Sequence, residues 1–149
     1  MKLAESSHDK LQTFFREILS DENFRLPKVN FYAGKFSRGL TLILHVHGIT
    51  FGRHIFIMPD LIAKDFEDRR KLSLELVAHE IVHVLQYKKE GFIGFFYKYL
   101  SSYWRNLRRK KNWNADSRHE AYREIPFERE AREIAARFVA WNRNSKSTE

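Results

Sequence analysis

The chain has 149 residues, of which 43% are hydrophobic and 15% aromatic, and this composition excludes an intrinsically disordered protein. It has no cysteine, so disulfides and thiolate metal ligands are excluded, and any zinc must be held by histidines and carboxylates. The formal net charge of +8 suits binding to nucleic acid, an anionic membrane surface or an acidic substrate, but by itself selects none of them.

The N-terminal ten residues contain no apolar run of the kind found in signal peptides. The longest apolar stretch, residues 91–97, is too short to span a bilayer. We therefore expect a soluble, cytoplasmic protein, and the length favours a single domain over residues 1–149, with 142–149 as a polar tail. Residues 8–20 predict a first amphipathic helix, because apolar side chains recur at helical spacing: Leu11, Phe14, Phe15, Ile18 and Leu19.

Strand patterns follow this helix. Residues 29–33 suggest a short strand, and residues 39–47 alternate partly between apolar and polar side chains. Residues 48–52 predict a turn, and residues 53–58 a second strand that ends at Pro59, so the pair is interpreted as a β-hairpin. With the helices before and after it, this hairpin predicts an α+β fold, a small antiparallel sheet packed on several helices.

Three histidines lie in these predicted strands. His45 and His47 are two residues apart, a spacing that can place both on one face of a strand and bind a metal ion. We interpret them, together with His54, as surface or hydrogen-bonded histidines, because a complete metal-binding motif occurs later in the chain.

A short helix is predicted from Asp60 to about Arg70, and a second helix from Ser73 to about Glu90. The second helix contains H-E-x-x-H. His79 and His83 are four residues apart and so lie on one helical face, where both imidazoles can bind one metal ion. Glu80 lies at the edge of that face and can act as a general base on water. The apolar residues occupy a different arc of the helix: Leu74, Val77, Ala78, Ile81, Val84 and Leu85.

Residues 92–107 predict a third long helix with an aromatic stripe. Five basic residues crowd its end: Arg105, Arg108, Arg109, Lys110 and Lys111. With Trp104 and Trp113 beside them, they could bind nucleic acid or an anionic membrane. The alternative is a solvated helix end whose aromatic side chains belong to the core.

A polar loop is predicted at residues 112–117, and the last helix from about Pro126 to Trp141. A catalytic zinc site takes three protein ligands, so one is needed beyond the motif. Its candidates are His119, Glu120, Glu124, Glu128, Glu130 and Glu133.

Helical periodicity separates these candidates. Glu130 shares one side of the last helix with the apolar residues, whereas Glu128 falls among the charged residues. A carboxylate on an apolar face is costly unless it is paired or bound to a metal, so Glu130 is the predicted third ligand. Glu128 and a salt bridge from Glu130 to an arginine remain the alternatives.

Two segments together resemble a known family. The sequence Ala-His-Glu-Ile-Val-His-Val-Leu-Gln-Tyr at 78–87, followed by Ala-Tyr-Arg-Glu-Ile-Pro-Phe-Glu-Arg-Glu-Ala at 121–131, resembles small bacterial zinc metallopeptidases of the zincin clan. It is more narrowly similar to gluzincins, whose third ligand is a Glu on a later helix. The resemblance covers about residues 40–141. It implies zinc held by His79, His83 and Glu130, Glu80 as general base, and a peptide or protein substrate. It also implies a substrate-binding edge strand, for which residues 53–58 are the candidate.

The chain also departs from related patterns. Metzincins have Gly and His where this chain has Gln86 and Lys89, and Ile134 replaces the Asp of the thermolysin-like Glu-x-x-x-Asp pattern. Tyr87, His119 and Tyr122 are all candidates for stabilising an oxyanion, and the sequence does not rank them.

These observations predict a zinc-dependent metallopeptidase, an endopeptidase that uses Glu80 as general base. The alternative is a basic module that binds nucleic acid or an anionic membrane and carries a structural or non-catalytic zinc site. A third possibility is a zinc-binding protein that has lost catalysis.

Overall fold

A computed structural model describes residues 5–35, 37–38, 48–61, 63–64, 70–71 and 73–146. Within these ranges it contains five helices and five short strands. The helices are α1 (Glu5–Leu19), α2 (Leu74–Glu90), α3 (Phe92–Arg108), α4 (Ala115–Arg123) and α5 (Pro126–Lys146). The strands are β1 (Asn30–Tyr32), β2 (Gly48–Phe51), β3 (His54–Ile57), β4 (Ala63–Lys64) and β5 (Arg70–Lys71), with a 3₁₀ turn at Pro59–Leu61.

The main sheet is small and mixed, with the strand order β1-β3-β2. β1 runs parallel to β3 and pairs Phe31 with Ile55, whereas β2 runs antiparallel to β3 and pairs Thr50 with Ile55. Gly52, in the turn between β2 and β3, has a φ of +59°, a conformation that favours glycine. The predicted α+β fold is confirmed, but the predicted antiparallel sheet is wrong in one respect, because β1 runs parallel to β3.

The core lies between the sheet, α1, α2 and α5. Its buried side chains include Leu11, Phe14, Phe15, Phe31, Ile55, Ile57, Val77, Ala78, Ile81, Val82, Val84, Ala131 and Phe138. The most extensive packing between helices is that of α5 on α2. The rings of Phe14 and Phe138 meet edge to face at 5.2 Å and join α1 to the same core.

α3 is attached to this core through aromatic contacts. Phe95 stacks on Tyr87 of α2, with ring centroids 3.9 Å apart, and on Phe127 of α5 at 4.8 Å. The buried Asn106 side chain donates a hydrogen bond to the Ala121 carbonyl and so joins α3 to α4. The aromatic side chains on this inner side of α3 therefore belong to the core.

The helix that carries the motif ends where the sequence predicts. Gly91 has a φ of +73°, and its N–H donates to the Tyr87 carbonyl 2.9 Å away. Ser73 precedes the first turn, but its side chain makes no capping hydrogen bond. The predicted start of the last helix at Pro126 is confirmed, and the helix continues past Trp141 to Lys146.

Other local predictions are wrong. Most of the predicted turn at residues 48–52 is strand β2, since Ile49 and Phe51 pair with β3. The predicted helix from Asp60 to Arg70 is contradicted at both ends, because β4 and β5 pair antiparallel. α4 was not predicted from the sequence. Ala121 is its one buried residue, so the helix has no apolar stripe that a pattern could show. The helix begins after Asn114, whose side-chain oxygen accepts a hydrogen bond from the Ser117 N–H.

The strand predicted at residues 39–47, with His45 and His47, lies outside the described residues. Within the described part of the chain, no helix has the length and apolar character needed to cross a bilayer.

Candidate metal centre

Two histidines of α2 and one carboxylate of α5 meet between the two helices. His79 Nε2 lies 3.1 Å from His83 Nε2 and 3.4 Å from Glu128 Oε2. His83 Nε2 lies 3.3 Å from Glu128 Oε1. All three ligand atoms therefore lie within 4.8 Å of one another, an arrangement that could hold a metal ion.

The spacing of these atoms fits a tetrahedral ion. Two ligand atoms at about 2.1 Å from a tetrahedral zinc lie about 3.4 Å apart, close to the separations observed here. Glu128 Oε2 is buried and accepts no hydrogen bond from the described residues, although it faces His79 Nε2. A buried carboxylate oxygen is costly without a partner, and a cation between it and the imidazoles would provide one. The His79 side chain is 16% exposed, against 4% for Glu128, so solvent reaches the site beside His79.

The charges in the cluster depend on one another. Burial alone would lower the pKa of His83, but Glu128, and to a smaller extent Glu80 and Gln86, raise it to about 9. Burial alone would raise the pKa of Glu128, but His79 and His83 hold it well below its usual range. A metal ion bound between these side chains would therefore compete with protons for the imidazole nitrogens.

Gln86 holds the imidazole of His83. Its amide N–H₂ donates to the Phe127 carbonyl at 3.1 Å and to Glu130 Oε2 at 2.9 Å, which fixes the orientation of the amide. Gln86 Oε1 is therefore an acceptor, and His83 Nδ1, 2.8 Å away, must donate to it. Nε2 of His83 is therefore the nitrogen that faces Glu128 and can bind a metal in place of a proton, as metal-binding histidines require.

Two tyrosines lie beside Glu128. The Tyr99 hydroxyl donates to Glu128 Oε1 at 2.8 Å. Burial and the charge of Glu128 raise the pKa values of Tyr99 and Tyr122 well above the ordinary value, so both hydroxyls keep their protons. They orient the carboxylate and leave Oε2 facing His79.

Strand β2 holds the general-base candidate. Glu80 is only 2% exposed, and its Oε2 accepts a hydrogen bond of 2.6 Å from the Thr50 hydroxyl. Gly48, two residues earlier on the strand, lies against Glu80 Oε1 so closely that a Cβ there would clash with it. The strand therefore fixes the direction of the Glu80 side chain.

Comparison with known proteins identifies the family. A family model described as the eCIS core domain matches residues 8–91, more than half of the chain. The chain belongs to the eCIS core domain family. This eCIS (extracellular contractile injection system) match contains most of α1, the main sheet and all of α2, and it ends before the helix that provides Glu128. Neither the curated proteins nor the solved structures gave a match.

In this eCIS core chain, the third candidate ligand is Glu128 and not the predicted Glu130. Glu128 is buried and Glu130 is exposed. The buried face of α5 is formed by Glu128, Ala131, Ala135 and Phe138, spaced three or four residues apart. Two of these four residues are alanines, so the buried face of α5 combines small side chains with Glu128 and Phe138. The large residues Phe127, Ile134 and Trp141 lie at the flank of this face and are only partly buried. Their spacing led the sequence analysis to place Glu130 on the buried face of the helix.

The predicted substrate-binding edge strand also requires correction. Residues 54–57 form β3, which is the central strand of the described sheet and has a partner on each side. The strand that contacts Glu80 is β2, which lies at the edge of the sheet formed by the described residues.

Most of the remaining sequence candidates lie apart from the cluster. His54 is exposed and contacts the Tyr32 hydroxyl through Nδ1 at 3.1 Å. Of the three oxyanion candidates, Tyr122 lies beside Glu128. Tyr87 instead stacks on Phe95, and His119 is exposed on α4. Glu120 and Glu124 pair with Lys110.

The sequence interpretation missed the residues that support the site. Gln86 carried a usable signal, since it follows His83 by three residues on the same helix. Thr50 and Tyr99 carried none, because their contacts with Glu80 and Glu128 join residues about 30 positions apart in the chain.

The contact of Gly48 with Glu80 gives a stability prediction. Replacing Gly48 with Ala is expected to lower the free energy of unfolding by about 1–3 kcal/mol, because the added methyl group displaces a buried carboxylate from Thr50. The matched control is Gly34→Ala, since a Cβ at Gly34 meets no atom within 4 Å. That control should leave stability unchanged or raise it slightly. Urea unfolding of both variants measures the difference, and equal stabilities would contradict the close packing at Gly48.

Proposed function

We propose that this eCIS core chain is a zinc-dependent metallopeptidase of the gluzincin-like kind. The observation that carries this proposal is the convergence of His79, His83 and Glu128 beside a Glu80 that is held by its own hydrogen bond. Two histidines and a glutamate form one of the ligand sets of catalytic zinc sites, which leave one position open. Structural zinc sites use four protein ligands, and the described residues place three here.

The chemistry is divided among the residues present. Zinc held by this cluster would polarise a peptide carbonyl and lower the pKa of a nearby water molecule. Glu80 then accepts the proton from water and transfers it to the leaving amine as general base and acid. Thr50 keeps the carboxylate of Glu80 in place, and Gln86 keeps Nε2 of His83 directed toward the metal position.

The position of these residues in the chain supports the same class. Both histidines and the base lie on one helix, and the third carboxylate lies on a later helix, as the gluzincin resemblance implies. The family match covers the first of these helices, so Glu128 and its two tyrosines are features of the segment that follows the match.

Metal content and peptide hydrolysis test the proposal together. We expect the purified chain to hold one zinc ion per molecule at neutral pH and to hydrolyse a mixture of fluorescence-quenched peptides. Removal of the metal with a chelator should abolish hydrolysis, and added zinc should restore it. A chain without stoichiometric metal, or hydrolysis that persists in the metal-free protein, would rule out the proposed mechanism. A chain that binds zinc but cleaves no protein or peptide would instead support a non-catalytic site.

A further inference from the structure

The outer face of α3 is apolar. Ile93, Tyr97, Leu100 and Trp104 are spaced four, three and four residues apart and so form one row along the helix. Ile93 is 83% exposed and Tyr97 is 75% exposed, and Leu100 and Trp104 are each about half exposed. Phe95, Ser102 and Asn106 lie on the opposite side of the same helix and are buried, and the buried Leu107 ends the exposed row one turn after Trp104.

This arrangement is unusual for a helix at a protein surface. Such a helix normally buries one apolar stripe and exposes polar side chains on the other side. Here a second apolar row is exposed, and two further exposed rings extend it, Phe92 at its start and Trp113 next to Trp104. A contiguous exposed apolar patch of this kind marks an interaction surface.

The cations around the row are available to a partner. Arg105, Arg108, Arg109 and Lys111 lie at its C-terminal end, and none of them forms an ion pair with a carboxylate in the described part of the chain. Lys110, in contrast, is paired with Glu120 and Glu124. The basic cluster of α3 therefore keeps most of its positive charge unpaired.

More cations lie at the other end of the row. Phe92 helps to line a pocket of about 470 Å³ between the β2–β3 turn and the end of α2. Its lining includes Lys28, Arg53 and Lys88 and no acidic residue. Basic residues therefore lie near both ends of α3, although Glu90, which precedes the helix, pairs with Lys98.

We propose that α3 binds the surface of an anionic membrane, with the apolar row inserted among the lipids and the basic side chains against their phosphate groups. Tryptophan and tyrosine are enriched at the boundary between lipid and water, and a helix with Lys and Arg beside an apolar face is typical of this binding. Ile93 and Leu100 favour lipid over nucleic acid, because bases stack on aromatic rings and not on aliphatic side chains. The inserted row and the unpaired cations do not involve the metal centre, so the inference is independent of the proposed catalysis.

Vesicle binding by the full chain tests this surface. The probes are phosphatidylcholine vesicles with and without phosphatidylserine, and a chelator is present so that the metal centre does not contribute. We expect sedimentation with the phosphatidylserine vesicles that weakens as salt is added. Tryptophan emission should shift to shorter wavelength on binding, as Trp104 and Trp113 leave water.

Two variants separate the apolar and the charged parts. Ile93→Gln/Leu100→Gln is expected to weaken binding at least about tenfold, because two exposed apolar side chains no longer enter the lipid. Arg108→Glu/Arg109→Glu is expected to weaken it at least about tenfold through charge. The control is Leu19→Gln/Lys10→Glu on α1, which changes the same kinds of residue away from the row and should leave binding unchanged.

Several results would overturn the inference. One is the absence of binding to phosphatidylserine vesicles at low salt, and another is vesicle binding that does not change in Ile93→Gln/Leu100→Gln. Binding to single-stranded RNA that requires the arginines but not Ile93 or Leu100, without vesicle binding, would assign the surface to nucleic acid. A dimer that dissociates in Ile93→Gln/Leu100→Gln, without vesicle binding, would assign it to a second copy of the chain.

Discussion

Glu128→Gln is expected to reduce zinc affinity by more than about 100-fold, whereas Glu130→Gln is expected to change it by less than about tenfold. The two glutamates are two residues apart on α5, but only Glu128 faces both histidines, at 3.3 and 3.4 Å. Among the described residues, Glu130 is linked to the site through the amide of Gln86. Even partners outside the ligand set typically alter metal affinity by about 10–100-fold, so loss of a charged ligand should exceed that range.

Competition with a chromophoric zinc chelator measures both affinities. Glutamine preserves the size of each side chain, so neither substitution opens a cavity, and unfolding curves of the metal-free variants check that both remain folded. Glu130→Gln is the matched control for Glu128→Gln, because both variants replace Glu with Gln on the same helix. Equal losses of affinity at the two positions, or a larger loss for Glu130→Gln, would contradict the assignment of Glu128.

Glu80→Gln is expected to lower the rate of peptide hydrolysis by about 10²–10⁴-fold while the zinc content stays the same. The amide retains the shape of the side chain and can still accept from the Thr50 hydroxyl, but it cannot take a proton from water. The loss should appear mainly in kcat, since Glu80 acts on the reaction and not on the metal.

The matched control for this substitution is Glu75→Gln, on the same helix in its exposed first turn. It removes the same charge and should leave both zinc content and hydrolysis unchanged. Hydrolysis that survives in Glu80→Gln would remove Glu80 from the proposed mechanism. A simultaneous loss of zinc would mean that Glu80 supports the metal site instead of serving as the base.

Local patterns predicted the elements that carry strong periodicity. The helix from residue 74 to 90 has a four-residue spacing of histidines, an apolar arc and a terminal glycine, and each of these is a property of neighbouring residues. The start of α5 at Pro126 is equally local. The short β4–β5 pair shows the limit, because two-residue strands have too little pattern to distinguish them from a helix turn.

The third ligand shows a different limit. In the helical wheel of α5, the predicted buried face was placed mainly by the large apolar residues. Phe127, Ile134 and Trp141 lie on the same side as Glu130, so Glu130 was predicted to face the core. Which arc is buried depends on how two helices pack, and the buried arc of α5, which packs extensively on α2, includes the small residues Ala131 and Ala135. The buried arc of α5 is therefore determined by the packing of the two helices on each other, and neither sequence segment alone shows it.

The sequence by itself determined that His79, Glu80 and His83 share one helix, because a spacing of one and four residues fixes their directions once a helix forms. Only the tertiary structure decided most of what surrounds them: Glu128 as the facing carboxylate, Thr50 on Glu80, and Tyr99 on Glu128. These contacts join residues that are mostly tens of positions apart, and their geometry depends on side-chain packing between elements. Local spacing carries no record of that packing.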